Sequence, residues 1–154
     1  MAGLCLFRRC LITSFTRYYI KSGTFDSFSG LSTMSQPLDQ IPDVDIDDNG
    51  VFKYILVQVH DDNNKQSKPI VRGYAVCQWH ADIYDKIASE LEKYGPGIDT
   101  ECVGGGRINH NADGKAIKVY GYSQGFGKAD HKISVGLLKK KYPDYVITWS
   151  DEGY

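Results

Sequence analysis

Residues 51–60 constrain the fold more than any other stretch of the chain. Val51, Lys53, Ile55, Val57 and Val59 alternate with Phe52, Tyr54 and Leu56. The segment is rich in β-branched and aromatic residues, and both of its alternating faces are largely apolar. Such a strand needs cover on both of its faces. A chain of 154 residues supports one core of that kind and leaves little room for a second.

The flanking patterns supply the cover. Residues 61–68 are polar and read as a loop, and a second strand spans about 69–76. From His80 to about Tyr94 the period becomes helical: His80, Ile83, Tyr84, Ile87 and Leu91 share one face, and Gly95-Pro96-Gly97 stops the helix. A strand enters Gly104-Gly105-Gly106, and another covers 116–122. A second helix fits 130–141, with Ile133, Leu137 and Leu138 inward and Lys139, Lys140 and Lys141 at its dipole-favoured end. A last strand spans 145–149. Strands and helices interleave without a steady βαβ rhythm. The expected class is α/β (α+β): a single mixed sheet of about six strands with two helices packed on it.

Residues 1–40 read as a leader and linker ahead of a folded domain at 41–154. The first 34 residues carry Arg8, Arg9, Arg17 and Lys21 against Asp26 alone. They are rich in Ser and Thr, resembling a mitochondrial targeting segment. The other reading is an untargeted extension, bypassed by a start at Met34. No stretch reaches the roughly 20 apolar residues of a membrane-spanning helix. Net charge is −1 and no basic stripe interleaved with aromatics occurs, so neither nucleic acid nor membrane is an expected partner. Cys5, Cys10, Cys77 and Cys102 form no C-x-x-C pair, and Cys77 and Cys102 are expected to be reduced and structural.

Two motifs fail on inspection. Asp45, Asp47, Asn49 and Gly50 imitate the start of a calcium loop, but the position requiring a bidentate Glu is Leu56. Asn49-Gly50 is instead a turn before the strand. The Gly104-Gly105-Gly106 run lacks the Gly-Lys-Ser/Thr of a P-loop. It serves either ligand approach or a close backbone contact. His60, His80, His110 and His131 lack the tight spacing of metal ligands, so no metal or other cofactor is expected.

Three residues remain. Lys53 and Arg72 each place a charge in a strand that reads as buried. His80 stands where strand gives way to helix, on the inward stripe. A helix start favours an anion and disfavours a protonated imidazole. An Arg fork, a Lys and a neutral His together describe a phosphoryl-transfer site. The same residues also fit a blander arrangement, with both cations reaching solvent and a packed, capped histidine.

The stretches VDIDDNGVFKYILVQVH, IVRGY, HADIYDK, ECVGGGRINH, KVYGYSQGFGKADHKIS and KKYPDYVITWSDEGY resemble the Janus / 14 kDa protein histidine phosphatase (phosphohistidine phosphatase) family, in order, from Ile41 to Tyr154. The resemblance implies a mixed sheet flanked by two helices and a metal-independent hydrolase of phosphohistidine in proteins. It implies a cytoplasmic monomer whose partners are histidine-phosphorylated proteins. By position it makes His80 the catalytic histidine and Lys53 a substrate-binding residue. It puts the phosphate-binding turn at Ser123, Gln124 and Gly125, and places Arg72 and Arg107 around the site. His131 matches a family histidine without an assigned role. Gln124-Gly125-Phe126 depart from the small or apolar residues of vertebrate members, a difference that bears on substrate preference. Two other functions stay open: a phosphoprotein-binding regulator with little catalysis, and a phosphoramidase acting on phospholysine.

Overall fold

The computed structural model describes residues 37–153. The leader at 1–34, with its targeting and untargeted readings and with Cys5 and Cys10, lies outside the described residues. The chain runs through helix α1 (Pro37–Gln40), strands β1 (Val44–Ile46), β2 (Gly50–Asp61) and β3 (Gln66–Gly73), and helix α2 (His80–Leu91). A short 3₁₀ turn, Glu92–Tyr94, extends α2 and ends at Gly95, whose φ of 107° few other residues adopt. Strands β4 (Ile98–Asn111) and β5 (Ala116–Tyr120), helix α3 (His131–Lys141) and strand β6 (Val146–Trp149) complete it.

The six strands form one mixed sheet in the order β1-β3-β2-β4-β5-β6. The β2, β3, β4 and β5 neighbours pair antiparallel, while β1 and β6 join β3 and β5 in parallel. Strand β2 is one of the two central strands, and a helix covers each of its two apolar faces. Its even residues Phe52, Tyr54 and Leu56 pack with Val135, Leu137 and Leu138 of α3. Its odd residues Ile55, Val57 and Val59 pack with Ile83, Ile87 and Leu91 of α2. Each of these buried aliphatic side chains contributes about 1.5–3 kcal/mol relative to exposure, so the two helices are held to opposite faces largely by β2's alternation.

Three elements differ from expectation. Residues 61–68 form a shorter turn, because β3 already begins at Gln66. The acidic run before Asn49 contains strand β1, whose flanking carboxylates have work to do: Asp45 accepts from the Tyr74 hydroxyl at 2.7 Å and Asp47 from the Ala75 N–H at 2.6 Å. On α3, Ile133 is 45% exposed, and Ser134 and Val135 turn inward with Leu137 and Leu138. Among the described residues, no helix is long and apolar enough to cross a membrane.

Candidate active site

The α2 face of the sheet carries charge near its middle. Lys53 of β2 and Arg107 of β4 are direct cross-strand partners, so both side chains leave the sheet on the side where α2 begins. His80 is the first residue of α2 and is 7% exposed. The preceding Trp79 is extended, and its backbone N–H donates to the Asp82 carboxylate at 2.8 Å. That bond fixes the entry angle of the chain into the helix. No side chain at the cap position accepts from the helix's first N–H groups.

The glycine run shows why His80 sits so close to the sheet. A Cβ on Gly105 would lie 2.7 Å from the His80 ring carbon Cδ2 and 3.1 Å from the Ser123 Cβ. A Cβ on Gly106 would lie 2.6 Å from the Tyr120 carbonyl and 2.9 Å from the Tyr54 ring. Successive glycines thus open opposite faces of β4, one to His80 and the other to Tyr54. The run serves close approach of neighbouring groups, as consecutive glycines in a strand permit.

His80 Nε2 lies 2.9 Å from the Gly106 carbonyl oxygen. A carbonyl can only accept, so Nε2 carries the proton, and in the neutral ring the lone pair is on Nδ1. The Cδ2–Nε2 edge faces β4, which turns the Nδ1 edge away from the strand. Burial, the principal cause, pushes the His80 pKa below the ordinary histidine value, and the charges of Lys53 and Arg107 push the same way; the Gly106 bond opposes them. The ring is therefore neutral and basic through the neutral range.

The loop after β5 closes the site. Ser123 and Gly127 exchange backbone hydrogen bonds at 3.0 and 2.9 Å, and the Phe126 N–H donates to Ser123 Oγ at 3.2 Å. Gly105 donates to the Gly127 carbonyl and accepts from the Ala129 N–H, which fastens the loop to β4 beside His80. Phe126 packs edge-on against Tyr84 of α2. The outcome is an open cleft of about 580 Å³ lined by Lys53, Trp79, His80, Arg107, the Ser123-Gln124-Gly125 turn and Phe126.

The cleft brings together Lys53, His80, Arg107, Ser123, Gln124 and Gly125, six of the seven residues expected at the site. Arg72 is not among them, and its expected place is corrected here. It shares the α2 face but lies opposite Ile55; the side chain is buried, and its guanidinium donates to the Val71 and Pro42 carbonyls at 2.9 and 2.7 Å. It lines a separate hollow with Pro42, Asp45, Ile87 and Glu90. Its alternation in β3 was readable, but the path of α2 over that position was not.

Sequence reading missed Trp79 and assigned His131 no role. Trp79 lines the cleft although it carries no ionisable group. His131, the first residue of α3, lies under the site on the other face of the sheet. Its Nε2–H donates to the Gly121 carbonyl at 3.0 Å, and its Nδ1 accepts from the Tyr54 hydroxyl at 2.7 Å. Burial pushes the His131 pKa down and the Tyr54 pKa up. Among the described residues no group of three or more His, Cys, Asp or Glu stands ready to hold a metal ion.

Comparison with known proteins agrees with this architecture in sequence. Residues 38–146 match the family model described as the Janus/Ocnus family. The 14 kDa phosphohistidine phosphatase of Sus scrofa is 55% identical over 122 residues, covering 76% of this chain and 95% of that protein. Its Homo sapiens counterpart is 52% identical over 119 residues, covering 74% and 94%. The sex-regulated protein janus-A of Drosophila pseudoobscura pseudoobscura is 54% identical over 123 residues, covering 77% and 81%.

Proposed function

The chain belongs to the Janus/Ocnus family, and we propose that it is a protein histidine phosphatase acting through Nδ1 of His80. The observation that carries the reading is the hydrogen bond from His80 Nε2 to the Gly106 carbonyl, which leaves the Nδ1 lone pair in a cleft that also holds two cations. The relatives named phosphohistidine phosphatase, at 52–55% identity over most of their length, support the activity.

The substrate's P–N bond has an imidazole leaving group, which departs readily once protonated. Catalysis then consists of positioning and of stabilising the phosphoryl oxygens. Lys53 and Arg107 hold two of those oxygens through charge-assisted hydrogen bonds. The amides of Gln124 and Gly125, in a turn shaped by Ser123, hold the third. The Nδ1 lone pair then either attacks phosphorus or takes a proton from the attacking water. In the first route the P–N bond to the substrate imidazole breaks as the bond to Nδ1 forms, and water then releases inorganic phosphate. In the second, phosphate forms directly. Both routes require neutral His80, and neither routes a step through a cofactor.

The test is release of inorganic phosphate from a histidine-phosphorylated protein, with a phospholysine substrate alongside. Release from phosphohistidine supports the reading. Tight binding without release would favour a phosphoprotein-binding role, and preference for phospholysine would favour the other phosphoramidase. Acid-labile phosphate trapped on the enzyme in a single turnover identifies the direct route. Cytoplasmic residence and a monomeric state complete the proposal, with sedimentation and a reporter fusion of residues 1–34 as their tests; mitochondrial import of that fusion would overturn the location.

A further inference from the structure

A second groove, of about 380 Å³, adjoins the cleft and shares Lys53, Trp79 and Arg107 with it. Its other walls are the start of β2, at Val51 and Phe52, and the loop between β3 and α2, at Ala75, Cys77 and Gln78. Two properties of this groove call for an occupant.

The first is apolar exposure held in place. Of the lining residues, Val51 is 53% exposed and Trp79 66%; Val76, 83% exposed, stands on the same loop between Ala75 and Cys77 but does not line the groove. The loop presenting two of them is pinned at three backbone N–H groups: Ala75 to the Asp47 carboxylate, Cys77 to the Tyr74 carbonyl, and Trp79 to the Asp82 carboxylate. A chain that orders a loop while leaving its large apolar side chains in water forgoes burial that a partner can supply. The second is a strand with one open side. The ladder between β2 and β3 ends at Tyr54 and Gly73, so residues 51–53 pair in the sheet only with β4. A strand segment of this kind, bordering a groove with apolar walls, suits an extended polypeptide better than a compact small molecule.

We propose that this groove receives the substrate polypeptide next to its phosphohistidine, with Val51 and Trp79 selecting an apolar neighbouring residue. The inference rests on the phosphatase reading: the modified side chain enters the cleft, and its own backbone must then leave over Trp79, the ridge common to both hollows. Lys53 and Arg107, shared by the two, fix the phosphoryl end of the same chain.

The test compares three probes with the full-length protein: a phosphohistidine peptide flanked by Leu, the same peptide flanked by Ser, and free phosphohistidine. The wild type is expected to favour the Leu peptide in kcat/KM by about tenfold, the scale of burying one aliphatic side chain. Val51→Ser should bring the Leu peptide down to the Ser peptide while leaving free phosphohistidine unchanged, and Val76→Ser, outside the groove, should keep the preference. Equal turnover of both peptides by an active wild type overturns the inference alone. So does a preference that Val51→Ser keeps, or a loss that extends to free phosphohistidine. A wild type inactive on all three probes overturns the phosphatase reading and this inference with it.

Discussion

Each of the two long helices begins with a buried histidine, and the two differ in their caps and in what meets the second ring nitrogen. His80 opens α2 and His131 opens α3; each ring donates from Nε2 to a carbonyl, of Gly106 in one case and Gly121 in the other. Burial depresses both pKa values. At α3, however, the Asp130 side chain caps the N–H groups of Lys132 and Ile133, and the Tyr54 hydroxyl occupies Nδ1. At α2 no cap side chain covers the first turn, and Nδ1 faces a cleft containing Lys53 and Arg107. The same residue at the same helical position is a structural clasp where its lone pair is occupied; where the lone pair is left to the cleft, the proposed function makes it the reactive group. Neither burial nor a depressed pKa distinguishes them; the second nitrogen does.

The comparison breaks most sharply at His80. His80→Ala should lower phosphohistidine turnover by at least about a hundredfold, the usual scale for losing a positioned base or nucleophile, while the protein still unfolds cooperatively near the wild-type temperature. His131→Ala should do the reverse in emphasis. Leaving the Gly121 carbonyl unmet, and the Tyr54 hydroxyl with only its longer 3.3 Å bond to Ser134 Oγ, beside a new cavity costs about 2–4 kcal/mol of stability, read as a lowered urea midpoint. His131 is a positioning residue, so the activity that survives should keep the wild-type inflection in its pH profile.

The smallest effect is in that profile itself. Because the folded pKa of His80 lies below the ordinary value of about 6.5, kcat/KM should hold as the pH falls past the usual histidine range and decline only below it. Stability has the matching sign. With folded values depressed, the unfolded chain binds more protons in the window just below pH 6.5. The contribution of both histidines is therefore complete above that pH and is lost as the pH falls towards the folded values. An activity inflection at or above the ordinary histidine value would contradict the assignment of His80 as the titrating group.

Much of this was legible in the sequence because it is periodic. The two apolar faces of β2 foretold a strand covered on both sides, and the helical stripe from His80 to Leu91 foretold α2 with its histidine turned inward. The sheet partners of Lys53 were not legible, since pairing it with Arg107 depends on register across 54 positions and on the irregularity between Leu56 and Val57. Arg72 shows the limit of alternation. Parity placed it on the correct face, yet only the path of α2 decides whether that part of the face opens to the cleft or is covered. The role of Gly105 was equally hidden, because the group needing the missing Cβ is a ring 25 residues earlier in the chain. The clasp of Tyr54 and His131 joins positions 77 residues apart and has no local signature.

Imidazole ¹⁵N resonances, followed during a titration with inorganic phosphate near pH 7, examine the two histidines together. Both should be neutral and protonated on Nε2, and phosphate should move the Nδ1 signal of His80 while leaving that of His131 in place. A His80 protonated on Nδ1, or one that phosphate leaves unmoved while His131 responds, would contradict the account.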